Sequence, residues 1–192
     1  GAIPSFVAVY TTGMFVTDSI TAILLYAQFS ILRSRAILVI ASGYLFTALI
    51  LIPFVLVFPG VFVPGQGLFG GLQSTSFVWC VWHAGFPLFV IGYALLKDGD
   101  SSKRFWRATV GAQIALSVAL TAAVVSVAAF FFMAGDALLP RVASDSLHFS
   151  SLWPYFIGAP VAAANVAALL VLWIRRRSML DLWLIAVICL YL

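Results

Sequence analysis

The chain contains no glutamate, two histidines and two cysteines, and only 8% of its 192 residues are charged. Its six acidic residues are therefore all Asp, and no pair of them is spaced for general acid–base work. A Ser/His/Asp arrangement is missing, as is a glycine loop followed by Lys, which excludes a visible acyl-transfer or phosphate-binding centre. Both cysteines, Cys80 and Cys189, sit inside apolar runs and read as small hydrophobes rather than a disulfide or a metal pair. A metal site needs several ligands, and the only histidines are His83 and His148, the latter in a loop. Two histidines suffice in number for haem, but no spacing supports it. Neither metal nor haem is expected, and the sequence requires no cofactor.

What the chain has instead is hydrocarbon: 64% of its residues are hydrophobic and its mean hydropathy is +1.16. Soluble domains average roughly 45–50% apolar and about 25% charged residues. So much apolar surface requires lipid as solvent, and in lipid the backbone must satisfy its own hydrogen bonds. The apolar runs are long and continuous rather than short and alternating, which excludes a β-barrel. The expected fold is all-α, a polytopic transmembrane bundle forming one domain with about six spans. These lie near 15–32, 36–58, 75–96, 108–135, 153–174 and 178–192, with 3–12 an apolar lead-in to the first. Gly1 is neither an initiator Met nor part of a charged leader, and the sixth run stops at Leu192 in mid-span, so a piece of a longer protein is expected.

Charge supplies the orientation. Arg33 and Arg35 follow the first run, Lys97, Lys103, Arg104 and Arg107 the third, and Arg175, Arg176 and Arg177 the fifth. The alternate loops, 59–74 and 136–152, hold only Arg141, so nine of the ten basic residues share one side. The positive-inside rule makes that side cytoplasmic. Basic residues confined to loops are no nucleic-acid footprint. Loop 59–74 is a string of Gly and Pro turn formers without charge, expected to pack on the outer bilayer face.

The third run carries the most informative stretch, Trp79-Cys80-Val81-Trp82-His83-Ala84-Gly85-Phe86-Pro87. An ionisable residue at membrane depth usually faces a protein interior or a watery cavity. Pro87 has no N–H to offer the His83 carbonyl four residues earlier, so that carbonyl is free for another partner. Gly85 permits close approach of a second helix, and Trp79 lies one turn before His83. Two readings stand for His83: interhelical glue, with Trp79 and Trp82 as ordinary interfacial aromatics, or a sensing site. Asp18, near the start of the first expected span, either caps that helix or pairs with His83 across the same leaflet. Asn165, mid-span in the fifth run, is expected to hydrogen-bond a neighbouring helix. Tyr44, Gln28, Thr47 and Gln113 are further polar points. Asp181 is expected to cap the sixth helix or to pair with the arginines before it. Pro53 and Pro160 mark expected kinks.

Several stretches carry a likeness in order along nearly the whole chain. They are Asp18-Ser19-Ile20-Thr21-Ala22 with Leu25 and Gln28, Ser42-Gly43-Tyr44-Leu45-Phe46-Thr47-Ala48-Leu49, Phe58-Pro59-Gly60, Gly67-Leu68-Phe69-Gly70, Trp82-His83-Ala84-Gly85-Phe86-Pro87-Leu88 and Leu180-Asp181-Leu182-Trp183-Leu184. This pattern resembles the bacterial membrane-associated sensor domain of type four. The resemblance implies an input module of the bacterial inner membrane. It also implies a cytoplasmic output joined at the C-terminal side, such as a diguanylate cyclase or the histidine kinase of a two-component system, and a span before Gly1. The segment itself would not be an enzyme. Expected partners are membrane lipids, an apolar small molecule and a homodimer mate approaching through Gly43, Gly85 or Gly158. The rival class is a transporter or channel subunit, which needs several in-membrane ionisable groups where only Asp18, His83 and Asp181 are available, and matching interrupted helices that are not seen. Alkaline-phosphatase fusions at Gly67 and Asp145 should be active and a fusion at Asp100 inactive; the opposite pattern refutes the orientation.

Overall fold

The computed structural model describes residues 2–99, 109–144, 148–176 and 178–191. Lys103, Arg104, Arg107 and Arg177, and loop positions Asp100 and Asp145, lie outside these residues. Six α-helices and no strands form among the described residues: α1 Ala2–Leu32, α2 Arg35–Val57, α3 Leu72–Leu96, α4 Val110–Ala134, α5 Ala159–Arg175 and α6 Met179–Tyr191. The first four, and α5 together with the turn before it, are long and apolar enough to cross a membrane; α6 is a shorter apolar helix.

α1 is longer than the sequence pattern suggests. The stretch 3–12 is no separate lead-in, because one helix of 31 residues runs from Ala2. Its polar residues hide inside it: the Thr11 and Thr12 hydroxyls donate to the Val7 and Ala8 carbonyls, both at 2.7 Å. Back-bonded in this way, a threonine carries no unmet donor into lipid. The helix ends at Arg33, which adopts φ 54° in the left-handed position usually given to glycine, and its Nε donates to the Ser30 carbonyl at 3.1 Å. Ser34 then starts α2 directly.

α2 and α3 form the centre. α1 and α4 pack on α2, while α5 packs on α3 and α6 on α5 and α3. The α2–α3 contact is close because Gly43 and Gly85 face the partner helix: a Cβ on Gly85 would lie 2.5 Å from the Phe46 ring, and one on Gly43 2.8 Å from Phe89 Cβ. Within the chain these two glycines serve the α2–α3 contact, and Gly158 faces Trp153. A polar rung ties α1, α2 and α4, with Ser117 Oγ 3.0 Å from Tyr26 Oη and 2.6 Å from Ser42 Oγ. α4 otherwise buries only Thr121 and Val125, leaving most of its surface outward, as suits a helix solvated by lipid.

The helix ends bearing Arg33, Arg35, Lys97, Arg175 and Arg176 form what we term the basic end. Here Asp181, fully buried, accepts from Lys97 Nζ and from Tyr93 Oη. Asp181 does not itself cap α6. Ser178 N donates to its carboxylate at 2.9 Å while Asp181 N donates to Ser178 Oγ at 3.3 Å, a reciprocal capping box with Asp in the third position. Lys97, at the C-terminal cap of α3, is a basic partner that local spacing did not suggest. Arg175 instead donates to the last carbonyls of α3, Ala94 O at 3.1 Å and Leu95 O at 3.3 Å. Replacing Asp181 by Leu strands the Lys97 charge and should cost about 3 kcal/mol, seen as a lower thermal midpoint in mild detergent. The double replacement Lys97→Met with Asp181→Leu should recover most of that loss.

Candidate functional site

Within α3, Pro87 breaks the backbone ladder by withholding an N–H from the His83 carbonyl. Asn165 of α5 takes the vacancy: its Nδ2 donates to His83 O at 3.2 Å and to Val161 O of its own helix at 2.9 Å. Both neighbours are carbonyls, so the amide must point its nitrogen at them, and its Oδ1 is left buried with no partner.

α5 mirrors this arrangement. Pro160 cannot reach back to Phe156 O, and the turn before it, Pro154–Gly158, is wound as a π-helix. The thiol of Cys80 on α3 faces the Phe156 and Ile157 carbonyls, each at 4.0 Å, a long and weak contact. Each helix therefore sets a side chain against the carbonyl, His83 O or Phe156 O, from which a proline on that carbonyl's own helix withholds the usual N–H.

The His83 imidazole sits between aromatic rings. Trp79 stacks on it at a centroid distance of 3.9 Å, Trp82 lies tilted at 4.4 Å, and Tyr191 of α6 approaches to 5.3 Å. Nδ1 is 3.0 Å from the Trp79 carbonyl, which only accepts, so Nδ1 carries a proton. The Trp82 indole N–H is buried beside Tyr191 without completing a hydrogen bond. Phe86 links Tyr191, at 5.6 Å, to Tyr44, at 5.2 Å edge-on.

Asp18 stands apart from this stack. Because α1 begins at Ala2, Asp18 is in the helix interior and cannot cap it. Its carboxyl group meets the Thr47 hydroxyl, whose single proton is shared with the Tyr44 carbonyl at 2.8 Å. Tyr44 and Tyr191 lie nearby, but no ion pair joins Asp18 to His83 among the described residues. Thus His83, Trp79 and Trp82 form one cluster, Asn165 joins it through the backbone, Tyr44 touches its edge, and Asp18 borders it.

At the end away from the basic loops, Trp79 also lines a cavity of about 560 Å³. Its walls are Phe54 of α2 and Phe58 just past its end, Thr75, Ser76 and Trp79 of α3, Phe149 and Trp153 before α5, and Ile3 and Pro4 of α1, with Gly60 and Ala143 from the loops. Gln73 holds the loop that roofs it. Its Oε1 accepts from the Val142 and Ala143 N–H groups at 2.8 and 2.9 Å, and its Nε2 donates to Ala143 O at 2.8 Å. Asp136 similarly accepts from Ser74 N at 2.7 Å. Loop 59–74 is pinned by Leu68 N donating to Leu56 O at 2.8 Å.

Cys80, Gln73 and Tyr191 had given no signal in the sequence beyond their place in or beside apolar runs. A lone Gln opening such a run is the one feature that marks a clamp.

A helical membrane domain whose central helix is interrupted at a histidine invites comparison with known proteins. The family model described as membrane-associated sensor, integral membrane domain, matches residues 1–192. The chain belongs to that family. No curated protein and no solved structure matched it. The family is one of integral membrane sensors, and this segment is accordingly a multi-pass membrane sensor domain.

In this sensor domain, Asn165→Leu should leave the His83 carbonyl unpaired and lower stability by about 1–2 kcal/mol. Pro87→Ala supplies the missing N–H, so in the double variant the Asn165 effect should shrink. Thermal unfolding of all four proteins in one detergent measures the coupling; strictly additive losses would refute the exchange of partners.

Proposed function

We propose that the chain is the input domain of a bacterial inner-membrane signalling protein, with α3 as the element that carries the signal. On this reading the basic end faces the cytoplasm, and a cytoplasmic output C-terminal to this segment, a diguanylate cyclase or a histidine kinase, receives it. One observation supports the reading above the others: α3 joins both ends of the molecule. Trp79 lines the cavity at the distal end, His83 and Pro87 make a hinge whose carbonyl is held by α5, and the last turn is stitched to α5 and α6 through Arg175, Tyr93 and Lys97.

A proline hinge supported from outside its own helix has two available packings, one with Asn165 engaged and one without. A signal shifts such an equilibrium only by favouring one packing, and couplings of this kind are worth about 1–3 kcal/mol, or roughly 5- to 150-fold. His83, wedged between Trp79 and Tyr191, ties the hinge to α6. The glue and sensing readings of His83 merge here, since the ring serves both by packing.

The test uses the full-length protein in its native membrane and reads output as cyclic dinucleotide formation or phosphotransfer. Pro87→Ala, which frees the hinge from Asn165, should change basal output about fivefold or more. Equal output in Pro87→Ala and the parent, with both folded, would refute α3 as the carrier. Solute flux through liposomes bearing the domain alone would favour a transporter instead.

A further inference from the structure

We infer that the distal cavity binds an uncharged, planar ring compound bearing a carbonyl or hydroxyl group. Its volume, about 560 Å³, lies within the roughly 300–1,000 Å³ of small-molecule pockets. Five rings from three segments wall it: Phe54, Phe58, Trp79, Phe149 and Trp153. Among the described residues no charged side chain lines it, so these walls offer an ionised ligand no compensation for lost hydration.

The same walls discriminate against a lipid tail. An acyl chain leaving the bilayer exchanges one hydrocarbon environment for another and gains no hydrophobic driving force. Selective occupancy therefore depends on what lipid does not supply, namely flat π-faces for stacking and a directed hydrogen bond. The hydrogen bond is available. Thr75 donates its proton to Val57 O at 2.9 Å and offers only lone pairs. For Ser76, beside it in the wall, no hydrogen bond forms among the described residues, so its hydroxyl can donate to a ring carbonyl or accept from a ring hydroxyl. The roof is set in advance by the Gln73 clamp on Val142 and Ala143, which limits the ordering that binding must impose.

A ring seated there rests against Trp79, the neighbour of His83, so the site supplies the signal that the proposed input role requires. The inference rests on that role for its consequence and not for the binding itself. The experiment titrates duroquinone into full-length protein in nanodiscs and follows tryptophan fluorescence, with oleic acid as the acyl competitor. Saturable quenching is expected, weakened about fivefold in Ser76→Ala by loss of one hydrogen bond and more than tenfold in Ser76→Phe, whose ring fills the cavity. Should Ser76→Phe not fold, Ala143→Leu narrows the cavity from the loop and should act in the same direction. Absence of saturable binding, equal affinity in the filled variants, or displacement by oleic acid would overturn the assignment. Binding without any change of output sinks the α3 reading alone; output that responds to Pro87→Ala without duroquinone binding sinks this site alone.

Discussion

A backbone carbonyl in hydrocarbon has no water to turn to, and the packing of α3 against α5 follows from that fact. Two prolines each free a carbonyl on one of these helices. The side chains that answer come from the other helix: Asn165 to His83 O, and more weakly Cys80 to Phe156 O. Arg175 repeats the pattern at the end of α3, where the final carbonyls have no next turn to serve them. The pair is thus joined at three depths, and at each the join is polar, directional and dependent on register. Apolar contact alone would fix neither register nor rotation, because lipid competes for it on equal terms.

The rest of the molecule is arranged around this pair. α2 lies against α3 at a distance set by Gly43 and Gly85, and carries α1 and α4 on its other faces. Buried polar side chains do a similar job wherever segments must stay in place, from Gln73 under the distal loop to Asp181 at the basic end. The His83 cluster and the cavity then occupy consecutive turns of one helix, with Trp79 common to both. Their proximity is a property of α3 itself.

Much of this was legible in the residues. Long uncharged runs dictate helices, Pro87 announces a free carbonyl at His83, and a mid-span Asn must find an interhelical partner. The start of α1 was harder to see, because the hydroxyls of Ser5, Thr11 and Thr12 set the apolar lead-in 3–12 apart from the span that follows. Their hydroxyls vanish from view only when the helix already exists to accept them, as Thr11 and Thr12 show. Asp18 was misread as a cap for the same reason. The pairing of Asp181 with Lys97 depends on tertiary approach across distant sequence, which no local spacing reveals. Tyr191 looked like one more apolar residue until α6 was placed beside α3.

The exchange between α3 and α5 also bears on how the chain assembles in the membrane. Helices enter the bilayer in order of synthesis, and α1 and α2, joined by a two-residue turn, can dock as soon as both are in. α3 arrives with its ladder broken at Pro87 and waits with a bare His83 carbonyl until Asn165 of α5 emerges, 82 residues later. Until then the hinge is held from one side only, by α2. The hinge proposed here therefore closes late, with only the docking of α6 still to follow.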